Sequence, residues 1–228
     1  MTLSKNYLKN IYDPIQKPFT NYPKNLINFI IKKNNIKDNS RVLDVCCGRG
    51  EFLNEFILNG LEGHGVDIDD ICLKYFPKIK YHQADLSKDP FPFEDNFFDV
   101  IFSKSVIEHF YYPESIIQES YRVLKPGGKI ITLTPSWIHN KDSFYDDFTH
   151  KQPFNKTSIY DLHKIFQFKE IKADYFIQLP ILWNENLFSK LMKFISFLVR
   201  VLVPNILKKR FKFVFFSKEI MLICTAKK

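Results

Sequence analysis

Three aspartates lie at the ends of short apolar segments that the sequence pattern predicts to be neighbouring strands. Asp44 lies in the first segment, Asp67 ends the second and Asp85 ends the third. In an open α/β sheet, ligands bind at the carboxyl ends of the strands. A carboxylate at the second strand end can accept both hydroxyls of a ribose, and one at the third can accept the exocyclic amine of adenine. The alternative is that all three are turn or cap residues.

The turn after the first segment is built from small residues. It reads Cys46-Cys47-Gly48-Arg49-Gly50 and leads directly into a predicted helix. Small side chains allow a ligand to approach the backbone closely, but the dinucleotide fingerprint GxGxxG is not met. The turn therefore indicates a ligand site without by itself naming the ligand.

Apolar segments and helical patterns alternate through the first part of the chain. Apolar spacing predicts helices from Pro23, over Glu51–Leu58, after Asp69 or Asp70, and over Pro113–Leu124. The predicted strands are Arg41–Cys46, Gly63–Ile68, Ile79–Ala84, Phe98–Ser103 and Lys129–Thr134. This alternation predicts an α/β, doubly wound sheet with helices on both faces.

The pattern is less regular after Pro135. We predict a loop over 135–156, a helix over Thr157–Phe168, a strand near Glu170–Gln178, a helical insertion over 181–210 and a last strand near Phe213–Ala226. The chain is interpreted as one domain, with an arm (1–22), a cofactor-binding core (23–135) and an acceptor-side part (136–228).

Several segments carry a family resemblance. The run VLDVCCGRGEFL resembles motif I of class I S-adenosylmethionine (SAM)-dependent methyltransferases, and GHGVDID and HQADL resemble the motifs that follow it. FFDVIFSKSVIEHF and YRVLKPGGKIITLTP are similar to the fourth strand, the next helix and the fifth strand of that family. The resemblance covers about residues 40 to 135. It implies a Rossmann-like seven-stranded sheet with an antiparallel last strand, and SAM as methyl donor.

The resemblance also implies roles for individual residues. Those expected to contact SAM are Asp44, Cys46, Gly48 and Gly50 at the methionine part, Asp67 at the ribose, Ile68 beside the adenine, Asp85 at the adenine amine, Leu86 through its backbone amide, and Ser103 in the methyl-transfer cavity. The family usually has glycine where Cys46 stands. Because cysteine is small, we expect SAM binding to survive this change.

The acceptor side offers several candidate bases. They are Glu108, His109, His139, Asp146, Asp147 and His150. The stretch from Asp146 to His150 and on to Leu162 resembles a loop of ubiquinone-pathway O-methyltransferases and of methyltransferases found with surface-polysaccharide genes. We expect His150 to act as general base or to orient the acceptor, with Asp147 as its partner and His109 nearby. The alternative is that His150 bridges loop and sheet structurally.

A metal is not predicted. The pair Glu108-His109 is similar to quinone enzymes in which a further glutamate three residues earlier helps to hold a divalent metal, but Ser105 stands there in this chain. The alternative for the pair is a helix-start cap and a packing role. The four cysteines lack zinc spacing.

Charge is distributed unevenly along the chain. Residues 1–150 contain 18 basic and 20 acidic residues, whereas 151–228 contain 15 and 5, so the net charge of +8 belongs to the last third. With 45% hydrophobic and 25% charged residues, a wholly disordered chain is excluded. The excess positive charge indicates an anionic partner or a bias in composition. The apolar and basic segment 187–212 is interpreted as a lid, a membrane-surface helix or a homodimer contact.

These observations predict a SAM-dependent O-methyltransferase. The expected acceptor is a hydroxyl of a sugar, a nucleotide-sugar or a lipid-linked glycan. The alternatives are a quinone-pathway phenol, RNA, or a catalytically silent SAM-binding subunit; basic charge alone rarely identifies a nucleic-acid partner. The beginning of the sequence has no apolar core, and Arg200 interrupts the apolar run Phe194–Val203. We therefore expect a cytoplasmic protein, with the membrane surface as a further location.

Overall fold

The computed structural model describes residues 12–15, 17–207 and 210–228. Half of the predicted arm, 1–11 with Gln16, lies outside the described residues, as do Lys208 and Lys209 of the basic segment. The strands are β1 (Arg41–Val45), β2 (Glu62–Asp67), β3 (Lys80–Gln83), β4 (Phe98–Lys104), β5 (Leu124–Pro135), β6 (Lys169–Ile177) and β7 (Ile220–Lys227). The α-helices are α1 (Tyr22–Asn34), α2 (Glu51–Leu58), α3 (Ile71–Tyr75), α4 (Pro113–Val123), α5 (Trp137–Asn140), α6 (Lys156–Ile165), α7 (Leu187–Leu202) and α8 (Lys212–Lys218).

The strands form one sheet in the order β3-β2-β1-β4-β5-β7-β6. β1 to β5 pair in parallel, whereas β7 is antiparallel to both of its neighbours. The predicted Rossmann-like sheet with an antiparallel last strand is confirmed. The first four predicted strands agree with β1 to β4 within one residue at each end.

Both faces of the sheet are covered, which explains the continuous apolar strands in the sequence. Val42 and Leu43 are adjacent on β1 and fully buried, yet they belong to different hydrophobic clusters. One cluster contains Ile116 and Ile117 of α4, and the other contains Leu53 of α2. A strand that is buried on both faces cannot show the alternation of polar and apolar residues that marks a half-exposed strand.

The fifth strand begins earlier than predicted. Pro126 and two glycines stand between Val123 and Lys129, and the pattern there predicts a turn. The structure instead starts β5 at Leu124, which pairs with Phe98, and the next pair joins Val100 to Lys129. The intervening residues form an irregularity in the strand, with Gly127 in the left-handed region at φ 77°. A bulge of this kind absorbs extra residues without ending the pairing.

The last strand is shorter than predicted. The apolar run that begins at Phe213 belongs to α8, and β7 starts only at Ile220. Short apolar runs do not distinguish a strand from a buried helix segment, and tertiary packing against α7 decides this one. Helix α6 also ends early, at Ile165, because the chain turns through a left-handed Gln167 at φ 66°.

The insertion between β6 and β7 emerges at the edge of the sheet where β5 ends. β7 starts there because it runs antiparallel to β5, and the Ser136 N–H donates to the carbonyl of Ile220 over 3.0 Å. Asn186 caps α7 by accepting the Ser189 N–H over 2.8 Å. Among the described residues, no helix is long and apolar enough to cross a bilayer.

Candidate active site

The turn after β1 is left-handed at three positions. The φ angles are 53° at Cys46, 52° at Gly48 and 80° at Gly50. Two hydrogen bonds close the turn, from the Cys47 N–H to the carbonyl of Val66 over 3.2 Å and from the Gly50 N–H to the carbonyl of Cys47 over 2.9 Å. These bonds fix the turn at the carboxyl edge of β1 and β2, where the ligand is expected.

Gly50 and Cys46 meet different constraints. A Cβ atom at Gly50 would lie 2.6 Å from Cδ1 of Ile79 and 2.9 Å from Cβ of Cys72, so both space and φ require glycine. At Cys46 the constraint is the left-handed conformation, which costs an L-residue about 1–2 kcal/mol. Size alone, the criterion available from the sequence, does not explain why related proteins have glycine at that position.

Asp67 connects the ends of β1 and β2. Its Oδ2 accepts the N–H of Gly48 over 2.8 Å, and its Oδ1 accepts the N–H of Asp69 over 3.2 Å. Burial raises the pKa of Asp67, and these backbone donors oppose the increase. Each carboxylate oxygen keeps a further acceptor position, which is the requirement for binding both hydroxyls of a ribose.

Asp44 is buried at the end of β1. Burial and the charge of Asp67 hold the pKa of Asp44 well above its usual range. An ammonium group placed beside Asp44 would stabilise the ionised carboxylate. The expected contact with the methionine part of SAM, which carries such a group, fits this environment.

Asp85 follows β3 and is held by local partners. Its Oδ1 accepts the hydroxyl of Ser87 over 2.6 Å, and its Oδ2 pairs with Nζ of Lys88 over 2.9 Å. Burial raises the pKa of Asp85, but the donors on Ser87 and Lys88 outweigh burial and lower it overall. The charges of Asp44, Asp67 and Asp85 all act on Cys46, whose thiol has a pKa well above its usual range mainly because of burial. All three predicted carboxylates therefore lie near enough to Cys46 to influence its pKa.

Ile68, Leu86 and Ser103 complete the predicted cofactor residues. The carbonyl of Ile68 accepts Nε2 of Gln83 over 3.1 Å, and Leu86 is buried. Ser103 is buried near the end of β4, and its Oγ has no hydrogen-bond partner in the part of the chain that the structure describes. A buried hydroxyl without a partner is costly, so it favours a polar atom of a ligand beside it.

Lys104 is a residue that the motif reasoning missed. Burial lowers the pKa of Lys104, whereas the nearby charges of Glu108 and Asp44 oppose this. Its Nζ lies 5.4 Å from the ring centroid of Phe52 and 5.8 Å from that of Tyr22. Lys104 follows an apolar segment directly in the sequence, and this position alone did not predict that its side chain would lie near two aromatic rings.

Arg49 holds the described part of the N-terminal arm against this turn. Its guanidinium donates to the carbonyls of Tyr12 over 2.9 Å and Lys17 over 2.7 Å. It also pairs with Glu51 over 2.7 Å and lies 4.6 Å from the ring centroid of Phe19. The buried guanidinium of Arg49, which belongs to the turn after β1, therefore holds the described part of the arm in place.

The loop after α5 is anchored beside the 3₁₀ turn Ile107–His109. The carbonyl of Glu108 accepts the N–H of Lys151 over 2.7 Å and that of Gln152 over 3.0 Å. This anchor brings the rings of His109 and His150 to a centroid separation of 4.8 Å. Residues 41 positions apart in the sequence thus meet next to the end of β4.

The carboxyl group of Glu108 is fully buried. Its Oε2 accepts the hydroxyl of Thr134 over 2.9 Å, and its Oε1 has no partner among the described residues. Burial raises the pKa of Glu108 to about 7. This carboxyl group is therefore divided between its protonated and ionised forms near neutral pH.

Hydrogen bonds define the tautomers of both histidines. Oγ1 of Thr149 lies 2.6 Å from Oδ1 of Asp147, to which it donates, and 2.8 Å from Nδ1 of His109. Nδ1 of His150 lies 2.5 Å from the carbonyl of Phe144, which can only accept. Both rings therefore carry hydrogen on Nδ1 and a lone pair on Nε2. Asp147 contacts His109 through Thr149, and its own carbonyl accepts the backbone N–H of His150 over 3.1 Å. The carbonyl of Phe144 accepts from Nδ1 of His150.

Glu108, His109 and His150 form an acceptor-rich group, the Glu-His-His cluster. One carboxylate oxygen and one nitrogen of each ring lie within 4.8 Å of one another. Burial, with a contribution from His150, lowers the pKa of His109 to about 4, so this ring is neutral near pH 7. The group offers three ligand atoms of the kind that divalent metals accept, although the sequence predicts no metal. The third of these ligand atoms belongs to His150 in the loop. The sequence around Glu108 alone could not indicate it, because His150 is distant in the chain.

Two other candidate bases lie apart from this cluster. Nδ1 of His139 is 3.0 Å from Oγ of Ser136, and its ring packs 4.7 Å from that of Tyr175. Burial and the charge of Arg200 lower the pKa of His139, which places it beside α7. Asp146 is exposed.

Comparison with known proteins agrees with this geometry. A family model described as a methyltransferase domain matches residues 43–132. An uncharacterized protein from Methanocaldococcus jannaschii is 29% identical over 89% of this chain and 85% of its own length. The ubiquinone/menaquinone biosynthesis C-methyltransferase UbiE of Pseudomonas putida is 33% identical over 50% of this chain, which spans about half of that relative's length.

A solved structure shows the same fold. It is a Haemonchus contortus phosphoethanolamine N-methyltransferase 2 in complex with phosphomonomethylethanolamine and S-adenosylhomocysteine. It is 18% identical, with a TM-score of 0.69 over 99% of this chain and 58% of that chain. Residues 43–132 of the present chain form a class I methyltransferase domain, and SAM is its cofactor.

Substitutions at Cys46 test the left-handed turn. We expect Cys46→Gly to keep SAM affinity within about threefold, because glycine adopts φ 53° without strain. Cys46→Val is expected to weaken SAM binding by about tenfold or more, because a β-branched residue is a strong outlier at positive φ. Calorimetric titration with SAM measures both. Cys224→Val, at a buried cysteine on β7, is the matched control, and wild-type affinity in Cys46→Val would contradict the explanation.

The buried carboxyl of Glu108 predicts an unusual pH dependence of stability. Its pKa is raised from 4.5 to about 7, so the folded state loses stability as pH rises through this window, by at most about 3 kcal/mol. His109, lowered from 6.5 to about 4, acts oppositely and contributes stability that is lost as pH falls through this range. In the wild-type chain, the effects of Glu108 and His109 on the pH dependence of stability oppose each other. Glu108→Gln should therefore gain stability relative to wild type as pH rises from 5 to 8.

Urea unfolding in the presence of EDTA at several pH values measures this difference. Glu94→Gln, at an exposed position, is the matched control and should follow the wild-type curve. A constant difference between Glu108→Gln and wild type across the pH range would show that Glu108 does not titrate in this window.

Proposed function

We propose that the chain transfers the methyl group of SAM to a hydroxyl of a sugar, within a nucleotide-sugar or a lipid-linked glycan. The Glu-His-His cluster is the observation that supports a hydroxyl acceptor. A hydroxyl must lose its proton to become a good nucleophile, and the cluster supplies proton acceptors beside the predicted methyl-transfer cavity at Ser103. An amine acceptor would not need such a group in its neutral form.

The reaction is a direct displacement. The acceptor oxygen forms a bond to the methyl carbon, the carbon–sulfur bond breaks, and the sulfonium of SAM becomes the thioether of S-adenosylhomocysteine. The hydroxyl proton passes to Nε2 of His150, which has a lone pair because Nδ1 donates to Phe144. A carboxylate at Glu108 would stabilise the imidazolium that forms.

Burial favours His150 over its neighbours as the proton acceptor. Glu108 is completely buried, and the lowered pKa of His109 makes it a weak base. His150 is only partly buried and lies on the loop between α5 and α6. His109 and Asp147 are then positioning residues, connected through Thr149.

The charge of the acceptor side supports an anionic acceptor. Residues 151–228 contain 15 basic and 5 acidic residues, so a phosphate-bearing sugar would be attracted to this part of the molecule. Lys151 follows His150 directly, is partly exposed and donates from Nζ to the carbonyl of Phe148 over 3.2 Å.

A quinone-pathway phenol is the second candidate acceptor. It is supported by the similarity to UbiE, a C-methyltransferase of ubiquinone and menaquinone biosynthesis, although this chain spans only about half of that relative. Deprotonation of a phenol would activate both its oxygen and its neighbouring ring carbon, so the same cluster would serve.

Turnover of His150→Ala tests the proposed base. We expect kcat to fall by about 10²- to 10⁴-fold with SAM affinity unchanged, because the ring acts on the acceptor and does not hold the cofactor. The measurement is transfer of labelled methyl from SAM to nucleotide-sugars, glycans, phenols and RNA. His139→Ala, at a histidine outside the cluster, is the matched control and should keep full activity.

Four results would contradict parts of this proposal. Full activity of His150→Ala would exclude it as base, and labelling of phenols or RNA alone would exclude the sugar acceptor. SAM binding without transfer to any of these acceptors would favour a silent SAM-binding subunit. Loss of activity in EDTA with recovery on adding Mg²⁺ or Mn²⁺ would show that the cluster holds a metal instead of accepting the proton.

A further inference from the structure

Helix α7 has its small residues inside and its large apolar residues outside. The residues of α7 that are buried are Ser189 and Ser196. In contrast, Phe188 and Phe194 are each 57% exposed. A helix that covers the core of a water-soluble domain has the opposite arrangement.

The exposed apolar residues follow helical spacing. They are Leu187, Phe188, Leu191, Phe194, Phe197, Val201 and Leu202, and Ile206 and Phe211 are exposed beyond the helix. Residues three and four positions apart lie on the same side of a helix, so most of these side chains form one stripe. Contiguous apolar surface of this kind marks an interaction site.

The inward face of α7 allows close packing. It contacts α8 and the 3₁₀ turn Pro180–Leu182. Ser217 of α8 is fully buried, like Ser196 of α7. Small residues at these positions leave the large side chains of α7 directed away from the domain.

The same segment carries the net charge of the protein. Residues 186–218 contain eight basic and no acidic residues, and the rest of the chain contains 25 of each, so this segment accounts for the whole net charge of +8. Lys190 and Lys193 of α7 are exposed, as are Arg210 and Lys212. Cations thus flank the apolar stripe.

This surface adjoins the catalytic edge of the sheet. The insertion leaves β6 after Ile177 and returns at Ile220, which lies beside the end of β5 at Ser136. Nζ of Lys218, two residues before Ile220, donates to the carbonyl of Arg200 on α7 over 3.2 Å. A partner bound to α7 would therefore lie close to the acceptor side.

We propose that α7 and the basic segment after it dock the protein on an anionic lipid surface, with the apolar stripe in the interface and the cations against the headgroups. The helix has 16 residues, fewer than the roughly 20 needed to span a bilayer, and its amphipathic pattern is that of a helix lying in the interface plane. Lysines near the interface add to the attraction of anionic lipids. The docking does not depend on the proposed methyl acceptor, since it needs neither SAM nor acceptor.

Charge separates this occupant from a second copy of the chain. A symmetric dimer through this surface would bring the exposed cations of one copy, Lys190, Lys193, Arg210 and Lys212, towards those of the other, and residues 186–218 contain no acidic residue to pair them. Like charges facing each other oppose association. An anionic bilayer instead complements both the apolar stripe and its cations.

Flotation of the full chain with lipid vesicles tests the docking. We expect binding to vesicles of phosphatidylglycerol and phosphatidylcholine, weaker binding to phosphatidylcholine alone, and a decrease as salt rises. The double variant Leu191→Ser with Phe194→Ser should lower the partition coefficient by at least about tenfold, because it removes two large side chains from the interface.

Matched substitutions elsewhere control for general surface effects. Leu58→Ser on α2 and Ile165→Ser on α6 remove apolar side chains that are 70% and 71% exposed, and they should leave vesicle binding unchanged. Circular dichroism and calorimetric SAM binding verify that each variant is folded.

The proposal fails if the wild-type chain does not float with anionic vesicles, or if the double variant floats equally well. A wild-type dimer that becomes monomeric in the double variant, seen by sedimentation velocity without lipid, would also overturn it and would assign the stripe to a subunit interface.

Discussion

The hydrogen bond from the Gly48 N–H to Asp67 joins the carboxyl ends of β1 and β2, and the cofactor site is arranged around it. The turn that makes this bond is left-handed at Cys46, Gly48 and Gly50. Cys46 adopts this conformation at a cost, and Gly50 has no room for a Cβ atom, which would lie 2.6 Å from Cδ1 of Ile79. One carboxylate therefore holds the turn, and it is also the residue predicted to bind the ribose hydroxyls.

On the acceptor side, the constraint is that three groups with lone pairs lie close together. They are a carboxylate oxygen of Glu108 and one ring nitrogen each of His109 and His150. Thr149 and a backbone carbonyl hold the two Nδ1 hydrogens, which leaves Nε2 of His109 and His150 without them. Glu108 responds to burial with a pKa of about 7. Such an arrangement needs a proton or a cation to be stable, and a proton taken from a substrate is one way to provide it.

The elements close to the motifs were predictable because their patterns are local. Predicted and observed bounds differ by one residue or less from β1 to β4. Prediction failed where tertiary contacts override local pattern: pairing with β4 draws Leu124 into β5, and packing against α7 makes Lys212–Lys218 helical. The roles assigned to His150, as base, and to Asp147, as its partner, stay predictions. Their closeness in the sequence indicated that the two residues lie near each other, but not which side chains they contact.

The sequence by itself determined the class of the domain, the order of its strands and helices, and the three aspartates at strand ends. These follow from side-chain periodicity and from residues next to each other in the chain. Only the tertiary structure decided that Lys104 turns inward, that Glu108 is buried beside two histidines, and that the large residues of α7 face outward. Burial and lone-pair direction depend on neighbours distant in sequence, and no local pattern contains them.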